Sequence, residues 1–213
     1  MQARGLGELI CLKFAEAGCS VAINYNASAD RAKSVAVKIE KEYGVKAVVI
    51  RGGYTRFSDF SDLSSATVSD WDKCFAVNVK AQTHLMQAAI PIFNNKATNP
   101  EGGVFIITSS IAGKTVGGSS MPYSVTKAAQ LHLMRCLAKT QGPTVRVNAV
   151  LPGWLDTEWG AGYSKEAIKD LCEKASLKKA TDLEDCAISF LDIARNSSMT
   201  GREIQVDSGL GVN

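Results

Sequence analysis

The chain has 213 residues, 46% of them hydrophobic, which fits one globular domain, 1–213, with a sizeable core. Its 24 basic and 21 acidic side chains are scattered and leave a formal net charge of +3, so neither nucleic acid nor a membrane surface is expected as a partner. Six cysteines (11, 19, 74, 136, 172, 186) form no C-x-x-C pair and no Cys/His zinc spacing, and no apolar run approaches the ~20 residues of a membrane span; a cytoplasmic protein with free thiols and no metal site is expected.

The segment Glu8 to Ala17 puts Leu9, Ile10 and Phe14 on one face and reads as a helix stopped by Gly18. A short apolar strand, Ser20 to Asn24, comes next. Ala29 to Tyr43 is a charged amphipathic helix closed by Gly44, and Lys46 to Ile50 is a second strand. From Arg51 to Ser69 the chain is polar and rich in Gly, Ser and Asp, with no clear strand. A long helix is predicted from about Val68 through Ala89. Val104 to Thr108 is apolar throughout, as a strand covered on both faces would be. A helix from Pro122 to about Thr140, a strand from Val145 to Leu151, helices at Ser164 to Ala175 and Asp182 to Ala194, and a strand at Glu203 to Val206 complete the chain. This alternation predicts an α/β fold, a doubly wound parallel sheet whose ligands sit beyond the carboxyl ends of the strands.

Tyr123 and Lys127 stand four apart at the start of a predicted helix, with Pro122 at its first position and Ser119 or Ser120 as cap. The spacing places both side chains on one face. A tyrosine ionises near pH ~10, and an adjacent ammonium and a helix N-terminus both favour the phenolate, so such a tyrosine could exchange a proton near neutrality. Y-x-x-x-K alone is a weak signal that many surface helices carry. Here, however, Ser109 and Ser110 end the buried strand, thirteen residues before Tyr123 for Ser110. A hydroxyl there could bind a substrate carbonyl oxygen beside the tyrosine; as a plain cap or turn serine, Ser109 is the better fit. A hydrolase built on Ser110 is a weaker reading, because neither His84 nor His132 follows a strand as a base should.

The run S-S-I-A-G followed by P-Y-S-V-T-K-A-A resembles the active-site signature of the short-chain dehydrogenase/reductase family, in an NADP-preferring type similar to the 3-oxoacyl-[acyl-carrier-protein] reductases. The resemblance implies a Rossmann-like fold and an oxidoreductase that moves a hydride between NADP(H) and a small carbonyl/alcohol substrate. Tyr123 would be its general acid or base. Lys127 would lower the tyrosine pKa and hold the nicotinamide ribose, and Ser110 would polarise the carbonyl. Asn78, in F-A-V-N-V-K-A, matches the helix asparagine that holds a water in the proton relay. R-V-N-A-V-L-P-G-W-L-D-T resembles the family's P-G-x-x-x-T turn and places Pro152, Gly153, Leu155 and Thr157 on the cofactor. T-G-R-E-I-Q-V-D-S-G-L resembles its closing strand, with Ser208 where glycine is usual. The long helices around Asn78 and Tyr123 resemble those that pair subunits, which implies a homodimer or homotetramer.

On the cofactor side, Arg4-Gly5-Leu6-Gly7 opens the first helix, and two glycines let backbone amides approach a phosphate. The segment resembles the latter part of T-G-x-x-x-G-x-G, with Met1 where the first glycine would fall. After the first strand, Asn24-Tyr25-Asn26 carries no acid for ribose hydroxyls, and Arg4 could meet a 2′-phosphate, so NADP(H) is expected over NAD(H). Trp154, Trp159 and Tyr163 follow the Pro152-Gly153 turn and could either line an apolar pocket or serve as packing residues.

Two pieces of the family pattern are missing. Only Met1 to Ala3 precede Arg4, where the family has its first strand. Its acidic turn, a helix and a fourth strand ending in Asn-Asn-Ala-Gly have no counterpart between Ile50 and Asp70, which puts the join near Gly52 and Gly53. Strands one and four are adjacent and central in the family order 3-2-1-4-5-6-7. Their loss leaves two alternatives: the halves close up, second family strand beside fifth, which would displace the glycine loop from Tyr123, or the chain is a shortened form. A catalytically impaired protein without stable cofactor binding is the competing functional expectation.

Overall fold

The structure is a computed structural model and describes residues 5–53, 57–158 and 162–212. Five strands, β1 (Val21–Tyr25), β2 (Ala47–Arg51), β3 (Gly103–Thr108), β4 (Val145–Pro152) and β5 (Glu203–Val206), alternate with helices α1 (Leu6–Glu16), α2 (Ala29–Tyr43), α3 (Val68–Phe75), α4 (Ala81–Phe93), α5 (Met121–Gln141), α6 (Lys165–Lys174) and α7 (Leu183–Arg195). Every strand pair is parallel, as crossover helices require. The sheet lies in two pieces: β1 beside β2, and β3-β4-β5 in that order. β1 and β3 do not pair, so the halves do not close up.

Helix α1 ties the two pieces together. Its Cys11 and Ala15 pack with Val21, Ile23, Ala32, Val35 and Ile39 over the two-stranded sheet. Ile10 of the same helix is buried with Val150 of β4 and Cys186, Ala187, Phe190 and Ile193 of α7. The opposite face of the three-stranded sheet is covered from α4 and α5 by Met86, Leu131 and Met134 against Ile107, Val147, Ala149 and Leu151. That sheet is therefore sandwiched, which accounts for its unbroken apolar strands. The two-stranded sheet is covered on one face only, and Val48 and Ile50 of β2 are more than half exposed.

The long helix predicted from Val68 through Ala89 is interrupted. Thr67 and Asp70 form a reciprocal capping box that starts α3, and residues Ala76–Lys80 form one π-helical turn before α4. Asn78 lies inside that turn. At α5 the cap is Ser120, whose Oγ accepts from the Tyr123 amide at 3.2 Å, and the helix begins one residue before Pro122, which takes its second position rather than its first. Ser208, where the family pattern favours glycine, has φ +54°, a left-handed backbone that explains the preference.

Candidate active site

The Ser109–Gly113 segment is stitched to α5. The Ser109 hydroxyl donates to the Lys127 carbonyl (3.0 Å), and the Ser124 hydroxyl to the Ala112 carbonyl (2.7 Å). A side chain on Gly113 would stand 2.8 Å from the Lys127 carbonyl carbon, so only glycine lets the loop lie on the helix. Ser109 thus has a structural job, which frees Ser110 to face outward. Ser110 begins a short 3-10 turn, accepts from the Ala112 amide at 3.1 Å, and its side chain hydrogen-bonds Tyr123.

Tyr123, Lys127 and Ser110 therefore meet in one place. The Lys127 ammonium stands 5.3 Å from the Tyr123 ring centre and donates to the Thr108 carbonyl at 2.8 Å. Burial dominates the electrostatics of both groups. It pushes the Tyr123 phenol up to about 12 against the opposing Ser110 hydrogen bond, and pulls Lys127 down to about 8, with Cys74 opposing. Tyr123 thus lies above the ordinary phenol range, where an adjacent ammonium was expected to hold it lower, because burial outweighs the other influences on it. The phenol keeps its proton throughout the neutral range.

Asn78 donates from Nδ2 to Thr126 Oγ1 (2.9 Å), and its carbonyl accepts from Gln130 Nε2 (2.6 Å). The π turn is thereby fastened to the helix that carries Tyr123. Sequence reasoning missed Gln130; the available signal was a polar residue three positions after Lys127, directly before the buried Leu131. It also missed Cys74, read only as one of the free thiols, which stands near enough to Lys127 and Tyr123 to influence both.

All of this faces one cleft of about 1400 Å³, larger than the roughly 300–1,000 Å³ of ordinary small-molecule sites. Gly5, Leu6 and Gly7 line it, as do Asn24, Gly52 and Gly53. Pro152, Gly153, Leu155 and Thr157 line the same cleft as Tyr123 and Lys127. Gly5 has φ +56°, and a side chain there would come within 3.1 Å of Thr157, so the start of α1 lies against the Pro152–Thr157 turn. Ile10 of α1 and Phe105 and Ile106 of β3 also line the cleft, which therefore runs through the space between β1 and β3. Tyr25 is not brought in; it packs against the core under β1. Arg4 and Trp159 lie outside the described residues.

Trp154 and Tyr163 satisfy both readings given to them. They line the cleft, and they pack edge-on with ring centres 4.9 Å apart, Phe57 extending the cluster at 5.4 Å from Tyr163. His84 and His132 are exposed on α4 and α5 and do not line the cleft, which removes the hydrolase reading. Among the described residues no group of acidic, His or Cys side chains could hold a metal, and no helix is long and apolar enough to cross a membrane.

The site also suits a dinucleotide. Helix α1 follows Gly5 with no side-chain cap among the described residues, a helix start of the kind that binds phosphate, and Asn24 Oδ1 is a buried acceptor without a protein partner at the end of β1. A sequence model of the family described as enoyl-(acyl carrier protein) reductase matches residues 44–211. The chain belongs to the short-chain dehydrogenase/reductase family. It is 32% identical to a granaticin polyketide synthase putative ketoacyl reductase of Streptomyces violaceoruber, over 85% of this chain and 72% of that one. It is 30% identical to the 3-oxoacyl-[acyl-carrier-protein] reductase of Aquifex aeolicus, over 97% and 93%. Several mammalian relatives are spanned over only 64% of their length. A short-chain dehydrogenase of Burkholderia cenocepacia in complex with NADP superposes with a TM-score of 0.84 at 26% identity, covering 99% of this chain and 95% of that one. The two sheet pieces of this dehydrogenase/reductase chain thus share one superposition with a solved family member.

Proposed function

We propose that the chain is an NADP(H)-dependent reductase of a small-molecule carbonyl, with Tyr123 as proton donor. The observation that carries this reading is the meeting of a protonated, Ser110-bonded Tyr123 with Lys127 in the same cleft as the Gly5–Gly7 helix start and Thr157. Ser110 and Tyr123 hold the substrate oxygen between two hydroxyls, and Tyr123 delivers a proton to it as it becomes an alkoxide. Burial keeps Tyr123 protonated at neutral pH, the state that a proton donor to the substrate oxygen needs. Gly5, Leu6 and Gly7 would hold the cofactor phosphates, Asn24 the adenosine ribose, and Lys127, Asn78, Pro152, Gly153, Leu155 and Thr157 the nicotinamide end. When bound, the cofactor supplies the hydride. Asn24 in place of an acid at the end of β1 supports NADP(H), as does the NADP in the Burkholderia structure.

Exposed Ile92 on α4 and Val125 on α5 support subunit pairing through these helices, as a dimer or tetramer, and the free thiols fit a cytoplasmic setting. One observation favours a second reading, a reductase-like protein that no longer holds cofactor: the cleft continues between the unpaired β1 and β3. NADPH oxidation across a panel of ketones and 3-oxoacyl thioesters, together with thermal shift, separates the two. The reductase reading expects NADPH to raise Tm more than NADH, and Tyr123→Phe to cut turnover about 100- to 10,000-fold while keeping the shift. An unchanged Tm at saturating NADPH establishes the second reading.

A further inference from the structure

Gln130 is 1% exposed, lies on α5 three residues after Lys127, and lines the cleft with it. One half of its amide is committed, since Nε2 donates to the Asn78 carbonyl at 2.6 Å. The other half is not: Oε1 is buried without a hydrogen-bond partner. Burying an amide oxygen unpaired is costly, and such atoms in native proteins call for an explanation. Lys127 presents the complementary surplus. Its ammonium has three donors, is 8% exposed, and has one acceptor, the Thr108 carbonyl. Side chains at i and i+3 of a helix start about 5–6 Å apart, within the reach of a lysine that swings from Thr108 or uses one bridging water.

We infer that Gln130 is a positioning residue of the proton-handling centre: its Nε2 fixes the Asn78 carbonyl on the π turn, and its Oε1 is a second acceptor for the Lys127 ammonium. The inference rests on the proposed role of Lys127. It alters the part that family resemblance gives Asn78, because the asparagine carbonyl is engaged by Gln130. Lys127 would then meet the amide oxygen of Gln130, and orienting that amide requires both contacts at once. The titratable groups that face Lys127 are few. Cys74 comes from α3, with Asp70 behind it, and Tyr123 from α5 itself; β3 offers the Thr108 carbonyl, which is uncharged. Burial keeps the Cys74 thiol protonated, so no anion competes for the ammonium.

The test follows the Lys127 titration directly, by NMR of ε-¹³C-lysine in the full chain, with Lys127 identified by its loss in Lys127→Arg. Gln130→Glu keeps an acceptor and adds charge, so Lys127 should bind its proton about tenfold more tightly or better. Gln130→Leu removes the acceptor, so the titration should move to lower pH. Where turnover is measurable, its pH profile should move in the same two directions. In the wild-type chain the Gln130 side-chain amide resonances should shift as Lys127 titrates, which requires no variant to fold. A Lys127 titration unmoved by both substitutions, or a Gln130 amide blind to it, makes Gln130 a structural clamp only and overturns the inference. Absence of NADPH binding or turnover would instead count against the proposed function and leave the Lys127 titration readable.

Discussion

Seven of the eight residues of β4 are buried, whereas none of the five in β2 is. Both strands belong to parallel sheets, a geometry that ordinarily needs cover on both faces. β4 has it: neighbours on both edges, α4 and α5 on one side, α1 and α7 on the other. β2 has one neighbour and one covered face. The chemistry divides along the same line. Ser110, Tyr123, Lys127 and the Pro152–Thr157 turn grow from the well-covered unit, while Asn24 and Gly52 grow from the thin one and Gly5 from the helix between them. The comparison teaches that the residues proposed to handle the proton stand on the better-covered scaffold, and that the proposed dinucleotide site would depend on how firmly α1 holds the smaller sheet in place.

The largest expected effect comes from cutting that tie. Ile10 is 1% exposed on the α7 side of α1, and truncating such a residue costs about 2 to 5 kcal/mol. Ile10→Ala should speed hydrogen exchange of the β1 and β2 amides far more than that of β4. If both sheets lost protection equally, the division into two units would fail. A second effect belongs to the catalytic unit alone. Lys127 titrates near 8 when folded, against an ordinary 10.5. Between those values the unfolded chain binds more protons, so Lys127 makes stability rise with pH from about 8 to 10.5. Tyr123, raised from 10 to about 12, acts in the opposite sense, lowering stability as pH climbs through that later window. Urea denaturation of Lys127→Met at pH 8 and pH 10 should lack the rise that the wild-type chain shows.

The catalytic unit was legible in the sequence because its signals are local: strand V-F-I-I-T, the two serines, and a tyrosine and lysine one helical turn apart. The absent fourth family strand was legible too, between Ile50 and Asp70. What its absence does to the fold was not. Whether β1 and β3 would pair is decided by packing on α1, whose Ile10 and Cys11 are adjacent in sequence but serve different cores. The π turn at Asn78 was hidden for a similar reason: nothing local in Ala76 to Lys80 marks it, and Thr126 and Gln130 of a distant helix hold the turn. The burial of Tyr123 was hidden as well, because a nearby charge is visible in a motif and desolvation is not.

The smallest effect tests the thin sheet on its open side. Val48 and Ile50 are 56% and 54% exposed on the face of β2 that α2 does not cover. In the family this strand is followed by an acidic turn and a helix, for which this chain has no counterpart. Replacing both residues with threonine keeps the β-branched shape that suits a strand and removes apolar surface that is not buried. The double variant should therefore fold with a stability within about 0.5 kcal/mol of the parent, the range of surface substitutions. Its solubility should rise, because an exposed apolar strand invites association. Chemical denaturation and light scattering at increasing concentration measure the two. A loss as large as that expected for Ile10→Ala would mean that Val48 and Ile50 are covered in solution, and that the smaller sheet has a second partner on that face.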